Sequence, residues 1–178
     1  MNAVIQLTIA PFPEPAFTAL RNTVFSHLER ESPELAAVLA NEKPADSSPN
    51  PTHFSPMVRF GAYIEGQLVG WSSGWHERDR CYYMASSGVV PEHQGRGIYS
   101  ALLQAAVAHA RSTGAQIVRS QHSVLNNRVI ACKLKRGFHI SGLSMSAHMG
   151  TLVELVLHLS GPRLELFRNR AIPLTAPR

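Results

Sequence analysis

The residues with the clearest capacity for chemistry are Gln94-Gly95-Arg96-Gly97-Ile98-Tyr99-Ser100, near the middle of a 178-residue chain. They follow the β-branched pair Val89-Val90 and Pro91, which cannot donate to a strand ladder and ends it. They precede a run with helical apolar spacing: Ile98, Ala101, Leu102, Ala105 and Ala106. The first N–H groups of a helix have no internal partner and sit at the positive end of its dipole. Two glycines leading into such a start make a cradle for an anion, most often phosphate; a plain turn is the alternative. The stretch is not a Walker A loop, which needs Gly-Lys-Ser/Thr, nor Gly-x-Gly-x-x-Gly, because position 100 is Ser.

A second constellation lies downstream. His122 follows a predicted strand, and its ordinary pKa of about 6.5 suits a general base; a surface turn histidine is the alternative. Asn126 opens a predicted helix that carries Lys133. Cys81–Val90 contains no carboxylate, and the following strand ends at Gln121. His76, Glu77, Glu92 and His93 are weaker candidates, the last two in a solvent-facing loop. Cys132 reads as a buried helix cysteine rather than a nucleophile. The nine histidines form no His-Glu-x-x-His or other ligand pair, so no metal is expected.

The elements that must position these groups follow from periodicity. Val4–Ile9 alternates as a strand, and Phe17, Leu20, Val24, Phe25 and Leu28 give Glu14–Arg30 one apolar helical face. Ser32-Pro33-Glu34 restarts a helix to about Glu42, with Ser as cap and Pro in the first turn. Lys43–Pro56, rich in Pro, Ser and Asn, reads as a surface loop. Met57–Ile64 and Gln67–Trp75 form a hairpin about Glu65-Gly66, with Trp71 and Trp75 on one face. His76–Arg80 is a charged turn, and Cys81–Val90 is the strand that delivers the glycine loop. A helix from Gly97 to about Ser112 ends at Gly114. Then come a strand Ala115–Gln121, a helix from Asn126 to about Arg136, and an antiparallel pair Phe138–Met145 and Thr151–Leu159. The last strand is apolar enough to be covered on both faces. Arg163–Phe167 reads as a short further strand, and the tail from Asn169 as flexible. The order β-αα-βββ-α-β-α-ββ is mixed α/β, without repeats, and fits one domain over residues 1–168.

Composition limits the partners. The chain is 44% hydrophobic with a formal charge of +5, and its basic residues are dispersed without aromatic interleaving. That pattern argues against nucleic-acid binding but suits a polyanionic small ligand. No apolar run reaches the roughly 20 residues of a membrane span, and Met1–Ala10 has no signal-peptide pattern. Two cysteines without metal spacing fit a reduced, cytoplasmic setting.

The glycine stretch resembles the acyl-CoA loop of the GNAT superfamily of N-acetyltransferases, Gln/Arg-x-x-Gly-x-Gly/Ala after a Val-x-Pro strand end. Gln94 and Gly97 match. Tyr99 stands where the family usually has Gly or Ala, and its bulk is expected near the phosphates. Asn126-Asn127-Arg128-Val129-Ile130-Ala131-Cys132-Lys133-Leu134-Lys135-Arg136-Gly137-Phe138 is similar to the family's second signature, with Asn126, Gly137 and Phe138 at the expected offsets. The resemblance covers roughly Gly61–Leu159. It implies a GNAT fold, a twisted and mostly antiparallel sheet flanked by helices that splays where acetyl-CoA enters, and transfer of an acetyl group to an amine without a metal. It implies that backbone groups of Ser87, Gly88 and Val89 pair with the pantetheine arm. Gln94 belongs to the loop, and the amides of Gly95, Arg96, Gly97, Ile98, Tyr99 and Ser100 hold the pyrophosphate. Asn126 either touches the pantetheine or only caps its helix. Lys133 occupies the position of a tyrosine that protonates the departing thiolate in many members. Seven residues, about 10 Å of helix, separate it from Asn126 on the same face. Lys133 either supplies that proton, or is solvated with Lys135 and Arg136, or meets a phosphate. A non-catalytic acyl-CoA-binding module is the alternative function. Homodimers are common in the family.

Overall fold

The computed structural model describes residues 7–12, 14–25, 56–146 and 149–170. Its elements are β1 (Leu7–Ala10), α1 (Glu14–Phe25), β2 (Val58–Ile64), β3 (Gln67–Glu77), β4 (Cys81–Val89), a 3-10 turn at Pro91–His93, α2 (Ile98–Ser112), β5 (Ile117–Ser123), α3 (Asn127–Leu134), β6 (His139–Ser146), β7 (Gly150–His158) and α4 (Gly161–Arg170). The strands form a seven-stranded sheet in the order β1-β2-β3-β4-β5-β7-β6. Only the β4–β5 pair is parallel; every other neighbouring pair is antiparallel. This is the mixed α/β architecture expected. The predicted helix Ser32–Glu42, the end of the first helix and the Lys43–Pro56 loop up to residue 55 lie outside the described residues.

The sheet has two distinct faces. On one, α2 lays Leu102, Leu103 and Ala106 against the strands, within a core that includes Tyr82, Met84, Val118, Val153 and Leu155. Gly70 lies beneath Leu102, so its neighbour Trp71 projects from the other face. There Phe17 and Phe25 of α1 meet the Trp71 ring edge-on, with centroids 6.0 and 5.4 Å away. Such edge-to-face pairs add to the burial energy of a large ring. Trp75, four residues on along the same strand, packs against Tyr83 at 5.0 Å.

Gly88 pairs with Trp71 across β3–β4 and leaves room for the indole. A Cβ at this glycine would stand 2.3 Å from the ring. Gly88→Ala is therefore expected to cost about 1–3 kcal/mol by overpacking, read as a lower urea midpoint; an unchanged midpoint would show that the ring can shift at no cost.

Several boundaries differ from the sequence reading. β3 runs through Glu77, so the charged turn shortens to Arg78–Arg80, with Asp79 and Arg80 at φ 60° and 56°. β5 continues through Ser123 because its whole length pairs with β7, which places His122 inside the strand. Arg163–Phe167 is not a strand: it belongs to α4, which also includes Asn169 and Arg170. Pro162 suits the first turn of a helix, and Phe167 of that helix sits on His139 and His158 at 5.1 and 5.0 Å. No helix of the described residues is long and apolar enough to cross a membrane.

Candidate active site

The sheet comes apart at its centre. β4 and β5 pair only at Cys81–Ile117, Tyr82–Val118 and Tyr83–Arg119. Beyond these residues β4 stays on β3 as far as Val89 while β5 stays on β7 as far as Ser123. Where they part, the β3–β4 register skips Ala85, a one-residue bulge opposite the Ser73–Gly74 step. A bulge bends its strand and increases the local twist, which here directs β4 away from β5. The resulting cleft has one wall of strand backbone, including Ser87, Gly88 and Val89, with no strand partner on that side among the described residues; the Val89 carbonyl accepts from Gln94 instead. Unpaired backbone groups of this kind are ready to receive an extended ligand.

Lys133 lies at the bottom of the cleft. Its side chain is 1% exposed. Its Nζ donates to Ser120 Oγ at 2.7 Å and approaches Met84 Sδ at 3.9 Å. Ser120 and Met84 are the first residues past the last β4–β5 pair, so the ammonium group sits where the strands diverge. The Phe138 ring lies 5.1 Å away. Burial pulls the Lys133 pKa down to about 7, offset slightly by the neighbouring Cys132. His122 projects from β5 on the same face as Ser120, with Nε2 3.2 Å from Ser120 Oγ. Burial, then the nearby Lys133, lowers its pKa to about 3, so at neutral pH it is an uncharged imidazole. A neutral Nε2 can accept from the Ser120 hydroxyl while Ser120 accepts from Lys133, giving a directional chain of hydrogen bonds.

The glycine loop stands at the mouth. Gly95 and Gly97 have φ of 75° and 81°, and a Cβ at either would meet nothing within 4 Å. These are left-handed conformations that favour glycine, beside open space. Gly97 is the N-cap of α2 and no side chain among the described residues caps the helix, so the first-turn amides remain available to a ligand. Gln94 braces the loop: its Nε2 donates to the Val89 carbonyl at 3.0 Å, and its Oε1 accepts from Arg128 at 3.4 Å. Arg96 is exposed beside these amides.

A family model described as the acetyltransferase (GNAT) family matches residues 10–138. The chain belongs to this family. A search of curated proteins returns no match. Among solved structures, the IAA acetyltransferase from Bacillus cereus ATCC 14579 aligns with TM-score 0.65 at 16% identity, over 86% of this chain and 100% of that one. The ribosomal-protein-S18-alanine N-acetyltransferase from Escherichia coli aligns with TM-score 0.64 at 13% identity, over 87% and 95%. An acetyltransferase from Bacillus subtilis, solved in complex with CoA, aligns with TM-score 0.61 at 15% identity, over 87% and 100%. The protein is a GNAT-type N-acetyltransferase, and the divided sheet is the splay that its fold implies.

Within this GNAT chain the residues singled out from sequence fall into distinct places. Asn126 is the N-cap of α3, its side chain accepting from the Val129 amide at 3.4 Å. Tyr99 departs from expectation: only its backbone belongs to the loop. Its ring packs against the two core clusters, and its hydroxyl is buried without a hydrogen-bond partner among the described residues. Burial, then Cys132, raises the Tyr99 pKa. Lys133 is not solvated: it is buried, and its Nζ is directed at Ser120. Glu92 and His93 sit in the 3-10 turn, away from the cleft floor. Cys132 is half-buried, with Sγ 3.8 Å from Ser100 Oγ.

The sequence reading missed a second polar network on the opposite face of β5. Gln121 and Glu154 face each other across β5–β7. Gln121 Nε2 donates to Glu154 Oε1 at 2.7 Å and to Ser144 Oγ at 3.1 Å, while Gln121 Oε1 accepts from the Tyr83 hydroxyl at 3.0 Å. The signal was a single carboxylate within Leu152-Val153-Glu154-Leu155-Val156-Leu157. Burial alone would not place a charge there. Glu77, weighed earlier, is taken by Arg119, whose guanidinium reaches both carboxylate oxygens at 3.0 and 3.1 Å.

Proposed function

We propose that residues 1–168 form one acyltransferase domain that uses acetyl-CoA to acetylate a primary amine by direct attack in a ternary complex. The observation that carries the reading is the open cleft between β4 and β5, with an amide cradle at its mouth and the Lys133 ammonium on its floor. Backbone groups of Ser87, Gly88 and Val89 would hold the pantetheine arm, and the amides from Gly95 to Ser100 the pyrophosphate. Open space at both glycines fits a ligand that approaches the backbone closely. When bound, acetyl-CoA supplies the activated acyl thioester. Overall, one N–C bond forms and one C–S bond breaks, and a proton from the amine is balanced by one delivered to sulfur. Lys133 holds a proton at Nζ where the departing sulfur would need it. A pKa near 7 suits that task, because an acid works best when its pKa lies near the working pH. Ser120 and the neutral His122 fix the direction of the Nζ–H bonds. With its pKa held so low, His122 acts here as an orienting acceptor rather than as the base.

The test is thermal stability with and without acetyl-CoA, using ATP as a phosphate control. A ligand at 100 times its Kd adds about 2.7 kcal/mol. A rise in Tm with acetyl-CoA but not ATP is expected, and no rise at millimolar ligand would overturn the reading. The lysine in place of the usual tyrosine favours one alternative, a module that binds acyl-CoA without turnover. Acetylated product from any of a panel of peptides, polyamines, aminoglycosides and amino acids would exclude it.

A further inference from the structure

We infer that the acceptor of this enzyme is an amine without an adjacent carboxylate, and that Glu154 selects it. The inference rests on the proposed acetyl transfer and concerns the face of the cleft opposite Lys133. Side chains of β5 alternate across the sheet: Ser120 and His122 serve the α2 face, while Gln121 lies on the other beside Tyr83 and Glu154. Gln121 lies beyond the last β4–β5 pair, so the group at the cleft floor is bounded by Lys133 on one face and by the Gln121–Glu154 pair on the other. An acceptor that approaches from the face opposite Lys133 then passes beside Glu154.

What that side offers is negative charge in a fixed position. Gln121 is fastened at both ends of its amide, by Tyr83 at one and by Ser144 and Glu154 at the other. It orients Glu154 by holding Oε1, and no cation among the described residues pairs with Glu154. The other carboxylate of this face, Glu77, is neutralised by Arg119. Among the described residues the local balance is therefore one unpaired negative charge on a half-buried site, flanked by the Tyr83 ring, whose face carries the Glu77-paired Arg119. An ammonium group would be drawn to it, whereas an α-carboxylate beside that ammonium would meet like charge with reduced screening. Free amino acids are disfavoured and their decarboxylated counterparts favoured.

The experiment uses three matched pairs that differ only in the carboxylate: agmatine and arginine, histamine and histidine, tyramine and tyrosine. Each is titrated calorimetrically into the CoA-loaded protein and assayed for acetylation with acetyl-CoA. At least one decarboxylated amine should bind and react at least tenfold better than its amino acid. Glu154→Gln should reduce that preference at least fivefold, mainly through the amine KM, with Glu154→Asp restoring part of it. The acetyl-CoA thermal shift should be the same in both variants as in the wild type. Equal treatment of every pair, a preference that survives Glu154→Gln, or neither binding nor turnover of all three decarboxylated amines overturns the inference. A retained acetyl-CoA shift in those cases leaves the acetyl-CoA reading standing; loss of the shift in the wild-type protein removes that reading instead.

Discussion

Lys133→Met is expected to lower kcat about 100-fold, the scale of a lost general acid, while making the protein more stable. The two effects have one cause. An ammonium group with 1% exposure is held away from water without a carboxylate partner among the described residues, and burial makes the charged form costly. Methionine of similar length fills the same channel beside Met84 and Phe138 without that cost. Replacing buried charge by packed apolar groups commonly stabilises by about 1–4 kcal/mol. Ser120 loses a donor in the variant but keeps His122 as a partner. The expected result is therefore a Tm raised by several degrees, an acetyl-CoA affinity changed less than threefold, and a turnover that falls away. A variant that loses stability and keeps its kcat would show that Lys133 is only a packing element.

The pH dependence separates the roles further. The Lys133 pKa is lowered from 10.5 to about 7 in the folded chain, so between those values the unfolded chain binds the extra proton. Stability from this group therefore rises with pH through that window. The cost of burying the charge is fully present below pH 7 and gone above about 10.5, with an upper limit of about 5 kcal/mol from 1.36 kcal/mol per unit. The stability gain of Lys133→Met should be largest at pH 6 and shrink towards pH 10, when measured by urea unfolding. Activity has the opposite sign. A group that must carry a proton loses it as pH rises, so the wild-type kcat should decline above about pH 7, and the variant should lack that limb.

Most of the fold could be read from the sequence because its determinants are local. The Gly97 cap, the Glu65-Gly66 turn and the alternation of Thr151–Leu159 each specify their own neighbourhood, and the two signatures fixed how the halves join. The unread parts depend on partners distant in sequence. β5 runs to Ser123 because β7 is there to pair with it. Arg163–Phe167 alternates like a strand, yet helix-forming residues after Pro162 and the contact of Phe167 with two histidines on neighbouring strands settle it as a helix. At the site, Lys133 sits beside Lys135 and Arg136 in sequence, so proton donor, solvated lysine and phosphate contact all stay open there. Only the parting of β4 from β5 creates the interior into which it reaches. Glu154 carries no local signal for the same reason, since its partner Gln121 lies 33 residues away.

Gly97→Val is expected to weaken acetyl-CoA binding at least tenfold, about 1.4 kcal/mol, and to do so from outside the core. Gly97 holds φ at 81°, where a β-branched side chain is strained. Strain of this kind costs about 1–3 kcal/mol, so some loss of stability accompanies the loss of affinity. Space is not the obstacle, since a Cβ there meets no atom of the described residues within 4 Å. The added methyl groups instead occupy the region in front of the α2 amides, where a pyrophosphate must come within hydrogen-bond distance. Gly95→Ala serves as the comparison: it carries the same left-handed strain, with φ at 75°, but is smaller and lies two residues farther from the helix start. If strain alone mattered, the two variants would lose affinity in proportion to their lost stability. If the amides of the α2 cap hold the phosphates, Gly97→Val loses far more affinity than its Tm change accounts for. A folded Gly97→Val protein with unchanged affinity would remove the loop from the binding site and leave the cleft without its anchor.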